Sequence, residues 1–186
     1  MTPVSILQQE TQNGLPASIL AQTPHRYESL KAHLGNENLS PAEFKQLLYA
    51  LEIVENGHKN VELKPLKFPV HKKPEVSVII PAHNKVEVTY LCLCSLLIAQ
   101  NTVSFEVIVV NDGSEDETTK LDKIVKGITV HHNKTAERFI KACNKGVSLA
   151  KGKYVVLLNN DTEVTQGWLD ELVESFSRFD NVGLAG

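Results

Sequence analysis

The chain has 186 residues, 42% hydrophobic and 22% charged, with a formal net charge of -3 and a pI of about 6.2. That length allows one domain plus an appendage, and the charge balance gives no electrostatic reason to expect nucleic acid as a partner. Three cysteines without a framework argue against a disulfide scaffold, the opening MTPVSILQQETQNGLP has neither the basic start nor the apolar run of a signal peptide, and no stretch approaches the roughly 18 apolar residues of a membrane span, so a cytoplasmic protein is expected.

Residues 1–57 read as a helical appendage. A short helix is expected from about His25 to Leu34, closed by Gly35. Ser40-Pro41-Ala42-Glu43 is a capping box with proline at the first helical position. Phe44, Leu47, Leu48, Leu51 and Val54 follow at helical spacing, and Gly57 is the stop. Residues 58–74 read as a basic linker, in which Lys59, Lys64, Lys67, Lys72 and Lys73 are interspersed with Pro65, Pro69 and Pro74. Prolines at that density block helix and keep the segment extended. Its lysines are either solvated or a contact for an anionic membrane surface.

From Glu75 to Gly186 the pattern becomes strand–helix alternation. Expected strands are Val76–Ile80, Phe105–Val110, Ile128–His132 and Tyr154–Leu158, with a further one beginning at Val182. Expected helices run from Val86 to Gln100, Glu115 to Val125, Ala136 to Ala150 and Gly167 to Phe179. Such alternation implies a largely parallel sheet flanked by helices.

In an open parallel sheet, ligands bind at the carboxyl ends of the strands. The residues there are Pro81-Ala82-His83-Asn84, Asn111-Asp112-Gly113-Ser114, His132-Asn133 and Asn159-Asn160-Asp161. Four polar turns on one edge point to a polar ligand. The GxxxxGK[ST], GxGxxG and GxSxG patterns are missing from their diagnostic places, which removes P-loop, dinucleotide and serine-hydrolase readings. What remains is carboxylate and amide chemistry. Asp112 either accepts a hydrogen bond from the ring N–H of a uracil or thymine base, or caps a helix starting near Ser114. Asp161 is either a ligand for Mg²⁺ or Mn²⁺, which take oxygen ligands and are often shared with substrate phosphates, or part of an Asx-type turn.

Four segments in order, VSVIIPAHN (Val76–Asn84), FEVIVVNDGSEDET (Phe105–Thr118), ACNKGVSLAKGKYVVLLNNDTEV (Ala142–Val164) and GWLDEL (Gly167–Leu172), resemble the amino-terminal half of family 2 glycosyltransferases, which have the GT-A fold. The LNNDTEV…GWL variant is most similar to rhamnosyl- and related sugar transferases of bacterial polysaccharide synthesis. The resemblance implies a nucleotide-sugar donor site. Pro81, Ala82 and His83 would line the base, Asn84 would order their loop, and Glu87 would lie near the nucleotide. Asp112 would contact the base. Ser114 and Asn144 belong to the matching motifs. Asn159, Asn160 and Asp161 occupy the place of the family's D-x-D motif, with Asp161 as the metal-binding member and Asn159 replacing the first aspartate.

Arg138 stands about where the family has glycine, and Cys143 precedes Asn144 where the family has arginine or asparagine. Arg138 is a candidate for contact with the diphosphate. The family's general base lies well beyond the D-x-D, and the chain ends 25 residues after Asp161, so the base is expected beyond Gly186. The reading is therefore an inverting transfer of sugar from a UDP- or dTDP-sugar to a polysaccharide or lipid-linked glycan, with Mn²⁺ or Mg²⁺ at Asp161. The alternative is a non-catalytic nucleotide-binding or interaction module. Peripheral membrane contact and self-association through an exposed sheet edge are further expectations. Cys92 and Cys94, two apart on a helix, read as buried thiols rather than a metal pair, His131-His132 as a weak zinc signal, and Trp168 as a core indole.

Overall fold

A computed structural model describes residues 39–57, 61–179 and 181–186. The expected helix at His25–Leu34 and Lys59 lie outside the described residues. The first described element, α1 (Pro41–Asn56), starts on the capping box: the Glu43 amide donates to Ser40 Oγ at 3.3 Å and the Ser40 amide to Glu43 Oε2 at 2.9 Å. The whole predicted stripe is buried, and Ala50 and Ile53 join it. It packs on α2 (Val86–Ile98), which is apolar nearly all round because it lies between α1 and the sheet.

Four strands form one parallel sheet in the order β5 (Thr129–Asn133), β3 (Phe105–Asp112), β2 (Val76–Ala82), β6 (Tyr154–Leu157). The parallel, helix-flanked architecture implied by the sequence is present. The pleat separates the two faces of β2 and β3. Val76, Val78, Ile80, Val107 and Val109 join the larger core with α2, while Ile79, Ile108 and Val110 meet Ala142 of α4 (Phe139–Val147). Gly146 lets α4 lie this close, since a Cβ there would fall 2.2 Å from Ile79 Cγ2. The sheet grows from β2 through β3 to β5 in one direction and then places β6 on the other side of β2. The strand order thus reverses between β2 and β6, and in an open parallel sheet the carboxyl ends at such a point are where ligands bind.

Several expectations need correction. The segment Glu115–Val125 is not one helix. It is a 3-10 turn (Glu117–Lys120) capped by Asp116, a single helical turn α3 (Leu121–Ile124), and the two-residue strand β4 (Val125–Lys126). Val125 leaves the helix because β4 pairs with β1 (Leu66–Lys67), a contact no local propensity encodes. Residues 61–74 are more than a solvated connection, for Leu66 and Phe68 are buried in the main core. Gln46 grips Lys67 by both its backbone groups, Tyr90 Oη donates to the Lys64 carbonyl at 2.7 Å, and Tyr49 Oη donates to that of Glu62. Lys64 sits over the Tyr49 ring and near Glu62. Residues 182–186 form no strand, having no ladder partner among the described residues. Finally, α4 is shorter than the expected Ala136–Ala150, and α5 (Trp168–Arg178) is anchored by Asp170, whose carboxylate takes the Thr102 and Val103 amides at 2.8–3.0 Å.

Candidate functional site

The turn after β2 runs through Asn84 at φ 56° and Lys85 at φ 57°. Asparagine tolerates this left-handed region, and its side chain fastens the turn. The Asn84 amide donates to Ser114 Oγ at 2.7 Å, and Asn84 Oδ1 accepts from the Glu115 amide at 2.8 Å. His83 Nδ1 lies 2.7 Å from the Asp112 carbonyl. A carbonyl only accepts, so Nδ1 carries the proton and Nε2 faces the Asn84 amide group at 3.3 Å as acceptor. Asp116 completes the junction: one carboxylate oxygen takes the Val86 amide at the start of α2, the other the Thr118 amide. The turns after β2 and β3 are thus one interlocked unit.

Asp112 ends β3 almost fully buried, at 5% exposure. Its Oδ1 accepts from Asn133 Nδ2 and the Glu137 amide, and its Oδ2 from the Arg138 amide, each at 2.8 Å. Burial alone would raise its pKa, but these bonds, with His83 nearby, outweigh burial and hold the carboxyl below its usual range. Two carboxylate oxygens offer about four acceptor positions, so three internal bonds leave about one for a ligand. Asp112 caps no helix near Ser114, since the Ser114 amide is held by Asn111 Oδ1 at 3.0 Å. It caps the approach to α4 instead. Gly113, at φ 69°, permits this, because a Cβ there would fall 2.4 Å from the Ala136 nitrogen.

Arg138 ends that approach with an exposed side chain and a backbone at φ 70°, ψ 166°. Essentially only glycine occupies this region freely, and an L-residue there costs on the order of 1–3 kcal/mol. The glycine that the family resemblance expects here is therefore what the backbone conformation favours.

Across β2, Leu158 still donates to the Ile79 carbonyl, and the chain then turns. The Thr162 amide donates to the Asn159 carbonyl at 3.1 Å, closing a turn with Asn160 and Asp161 at its centre. Asn160 is tied to Thr89 Oγ1 of α2 at 3.0 Å, whereas Asn159 and Asp161 are exposed. Cys92 Sγ lies 3.8 Å from the Asn159 carbonyl, which sets the turn against α2, and burial, then the nearby Asp161 charge, pushes the Cys92 thiol up to about 12. The turn and ligand readings of this segment are compatible, for the turn presents the Asp161 carboxylate outward. Among the described residues no group of three His, Cys, Asp or Glu side chains could hold an ion. A cation bound at Asp161 would need oxygens from a bound ligand to complete its shell.

The structure gathers Pro81, Ala82, His83, Asn84, Asp112, Ser114 and Arg138 at the ends of β2 and β3, with Asn159, Asn160 and Asp161 across β2 and half-buried Glu87 on the first turn of α2. Asn144 is less close, about 9 Å along α4 from Arg138. Sequence reasoning placed Asn111 and Asn133 in the polar turns without giving them a role, and missed Asp116 and Thr89. Asn111 is 2% exposed and bridges Ser114 to His132 Nδ1 at 2.9 Å, which gives that histidine a hydrogen-bonding role rather than a zinc-binding partner set. Asn111 and Asp116 lie within the motif FEVIVVNDGSEDET, so their signal was available. The partners of Asn133 and Thr89 are tertiary.

Residues 77–186 match the sequence profile of the family described as "Glycosyl transferase family 2". The chain is similar to a putative polypeptide N-acetylgalactosaminyltransferase 13 of Drosophila melanogaster, at 30% identity over 131 residues, covering 63% of this chain and 24% of that relative. It is similar to chondroitin synthase of Escherichia coli, at 28% identity over 119 residues, 60% of this chain and 17% of that one. The chain thus spans a quarter or less of the length of these curated relatives. The solved structure of S. aureus TarS 1-349 in complex with UDP-GlcNAc aligns with a TM-score of 0.49 at 21% identity, over 60% of this chain and 37% of that one.

Proposed function

The chain belongs to glycosyl transferase family 2, and from that premise we propose that the strand ends where the order reverses between β2 and β6 hold a UDP- or dTDP-linked sugar donor. The observation that carries this reading is the pairing, across β2, of the interlocked Asp112 unit with the exposed Asp161 carboxylate at the point where strand order reverses. In the proposed site, the turns at Pro81–Asn84 and Asn111–Ser114 enclose the base, with the remaining acceptor position of Asp112 taking its ring N–H. Asp161 lies on the diphosphate side. A bound Mn²⁺ or Mg²⁺ would offset charge on the diphosphate leaving group. The residues that would hold it are Asp161 and, through its amide oxygen or a water, Asn159.

The proposed reaction is inverting transfer to a polysaccharide or lipid-linked glycan, with rhamnosyl transfer as one donor chemistry within the class. The name of one relative, chondroitin synthase, supports a polysaccharide acceptor, while that of another, polypeptide N-acetylgalactosaminyltransferase, names a polypeptide one. A cytoplasmic setting is part of the proposal, supported by three buried, unpaired thiols at Cys92, Cys94 and Cys143. A membrane-peripheral location and contact between two copies at the open edge of β6 complete it.

Asn159 in place of a carboxylate favours one second reading, a module that binds nucleotide without transferring sugar. Thermal shift with UDP, dTDP and GDP, with and without Mn²⁺, on wild type and Asp161→Ala tests the donor site. A ligand at about 100 times its Kd adds roughly 2.7 kcal/mol. Stabilisation by UDP or dTDP, reduced in Asp161→Ala when Mn²⁺ is present, is the expected result. A folded protein stabilised by none of the three overturns the donor-site reading.

A further inference from the structure

Two observations meet at Arg138. Its backbone sits at φ 70°, ψ 166°, where glycine would rest without strain. That conformation is imposed from outside the residue. The Asp112 carboxylate holds the Glu137 and Arg138 amides at 2.8 Å, and the preceding loop lies against Gly113 too closely for any side chain there. A strained arginine where glycine fits better implies that its side chain does something the fold does not require. It makes no ion pair among the described residues, and it is exposed at the edge where β3 and β5 end.

The second observation is the charge of the site. Glu87, Asp112 and Asp161 are acidic, and Arg138 is the one permanent cation among the residues proposed to surround the donor. A nucleotide diphosphate entering there brings further negative charge. At the turn after β6, Asn159 leaves Asp161 as the single carboxylate, so a divalent ion would be held by fewer charged ligands than a pair would give. An arginine fork matches two phosphate oxygens and keeps its charge at any physiological pH.

We propose that Arg138 is the diphosphate-binding cation of this chain, pairing with the donor so that nucleotide binds without a divalent ion, and that Asp112 is a positioning residue that holds Arg138 in its strained backbone. The inference rests on the donor-site reading above and adds to it a residue, a binding partner and a reduced metal requirement.

The test is calorimetric titration of the full chain with UDP and with dTDP, in EDTA and in Mn²⁺, alongside ligand-free thermal melts, for wild type, Arg138→Gly and Arg138→Lys. Wild type binds one of the nucleotides in EDTA. Arg138→Gly weakens that binding about ten- to a hundredfold in EDTA, the loss of a charge-assisted pair. Relief of strain meanwhile raises its ligand-free Tm by about 3 °C, net of glycine's greater unfolded-state freedom. Arg138→Lys, which keeps the charge without the fork, falls between. Stability and affinity moving in opposite directions is a result that a purely structural arginine cannot give.

Unchanged affinity of Arg138→Gly in EDTA overturns the proposal, as does a wild type that binds nucleotide only when Mn²⁺ is present. Should Arg138→Gly fail to fold, Arg138→Lys decides, with wild-type affinity in EDTA counting against the proposal and reduced affinity for it. A wild type that binds neither nucleotide under either condition removes the donor-site reading itself, and this inference with it.

Discussion

At the scale of single residues, Asp112 is where the sequence left two readings open and the fold supplied a third set of partners. Its hydrogen-bond donors lie 21, 25 and 26 residues away, beyond any local pattern. Asp112→Ala leaves those donors without an acceptor in a buried place. It should lower stability by about 2–4 kcal/mol in urea unfolding, with any nucleotide binding weakened as the loop loosens. The folded-state pKa of Asp112 lies below its unfolded value. The stability it contributes is therefore present above the unfolded value near pH 4 and lost as pH falls through the folded one. Asp116 titrates in the same direction, because its bonds to the Thr118 and Val86 amides outweigh the effect of burial. Wild type should thus lose stability below about pH 4, and Asp112→Asn should show a shallower acid slope. Equal slopes would assign acid sensitivity to other groups.

At the scale of elements, legibility followed locality. The capping box, proline and apolar stripe of α1 lie within one short stretch of chain, and each is realised. The segment Glu115–Val125 failed as a helix because Val125 and Lys126 pair with Leu66 and Lys67, almost 60 residues earlier. Likewise the prolines of residues 61–74 announced extended chain, but not the burial of Leu66 and Phe68. The placement of α4 depends on Gly146, whose missing side chain admits Ile79 and Val110. Gly146→Val should cost about 2 kcal/mol or more by overpacking. It should also disturb the approach to α4, seen as a lower urea midpoint and as faster hydrogen exchange at the Glu137 and Arg138 amides. A variant as stable as wild type would show that α4 can ride higher on the sheet at little cost.

At the scale of the whole molecule, the two faces of the sheet are unequally covered. Tyr154 packs on Phe176 of α5, yet Val155 and Leu157, on the alternate face of β6, are 42% and 52% exposed. Phe139 and Ile140 of α4 are exposed too, and β6 has one unpaired edge among the described residues. An apolar edge of this kind favours pairing. Sedimentation at rising concentration should show a mass increase in wild type, and Leu157→Lys should reduce it. A wild type that stays monomeric throughout would count against self-association at this edge.

The sequence by itself determined the family, the parallel helix-flanked sheet and the edge on which the polar turns collect. Those depend on strand and helix periodicity, on motif order and on the rule that parallel strands present their ends together, all carried by residues close in the chain. Only the tertiary structure decided what the site residues do to one another. It bound Asp112 to the start of α4, tied Asn160 to Thr89 and left Asp161 exposed beside α2. It also put a strained backbone under Arg138, because that conformation is set by a carboxylate 26 residues away that the sequence could not connect to it.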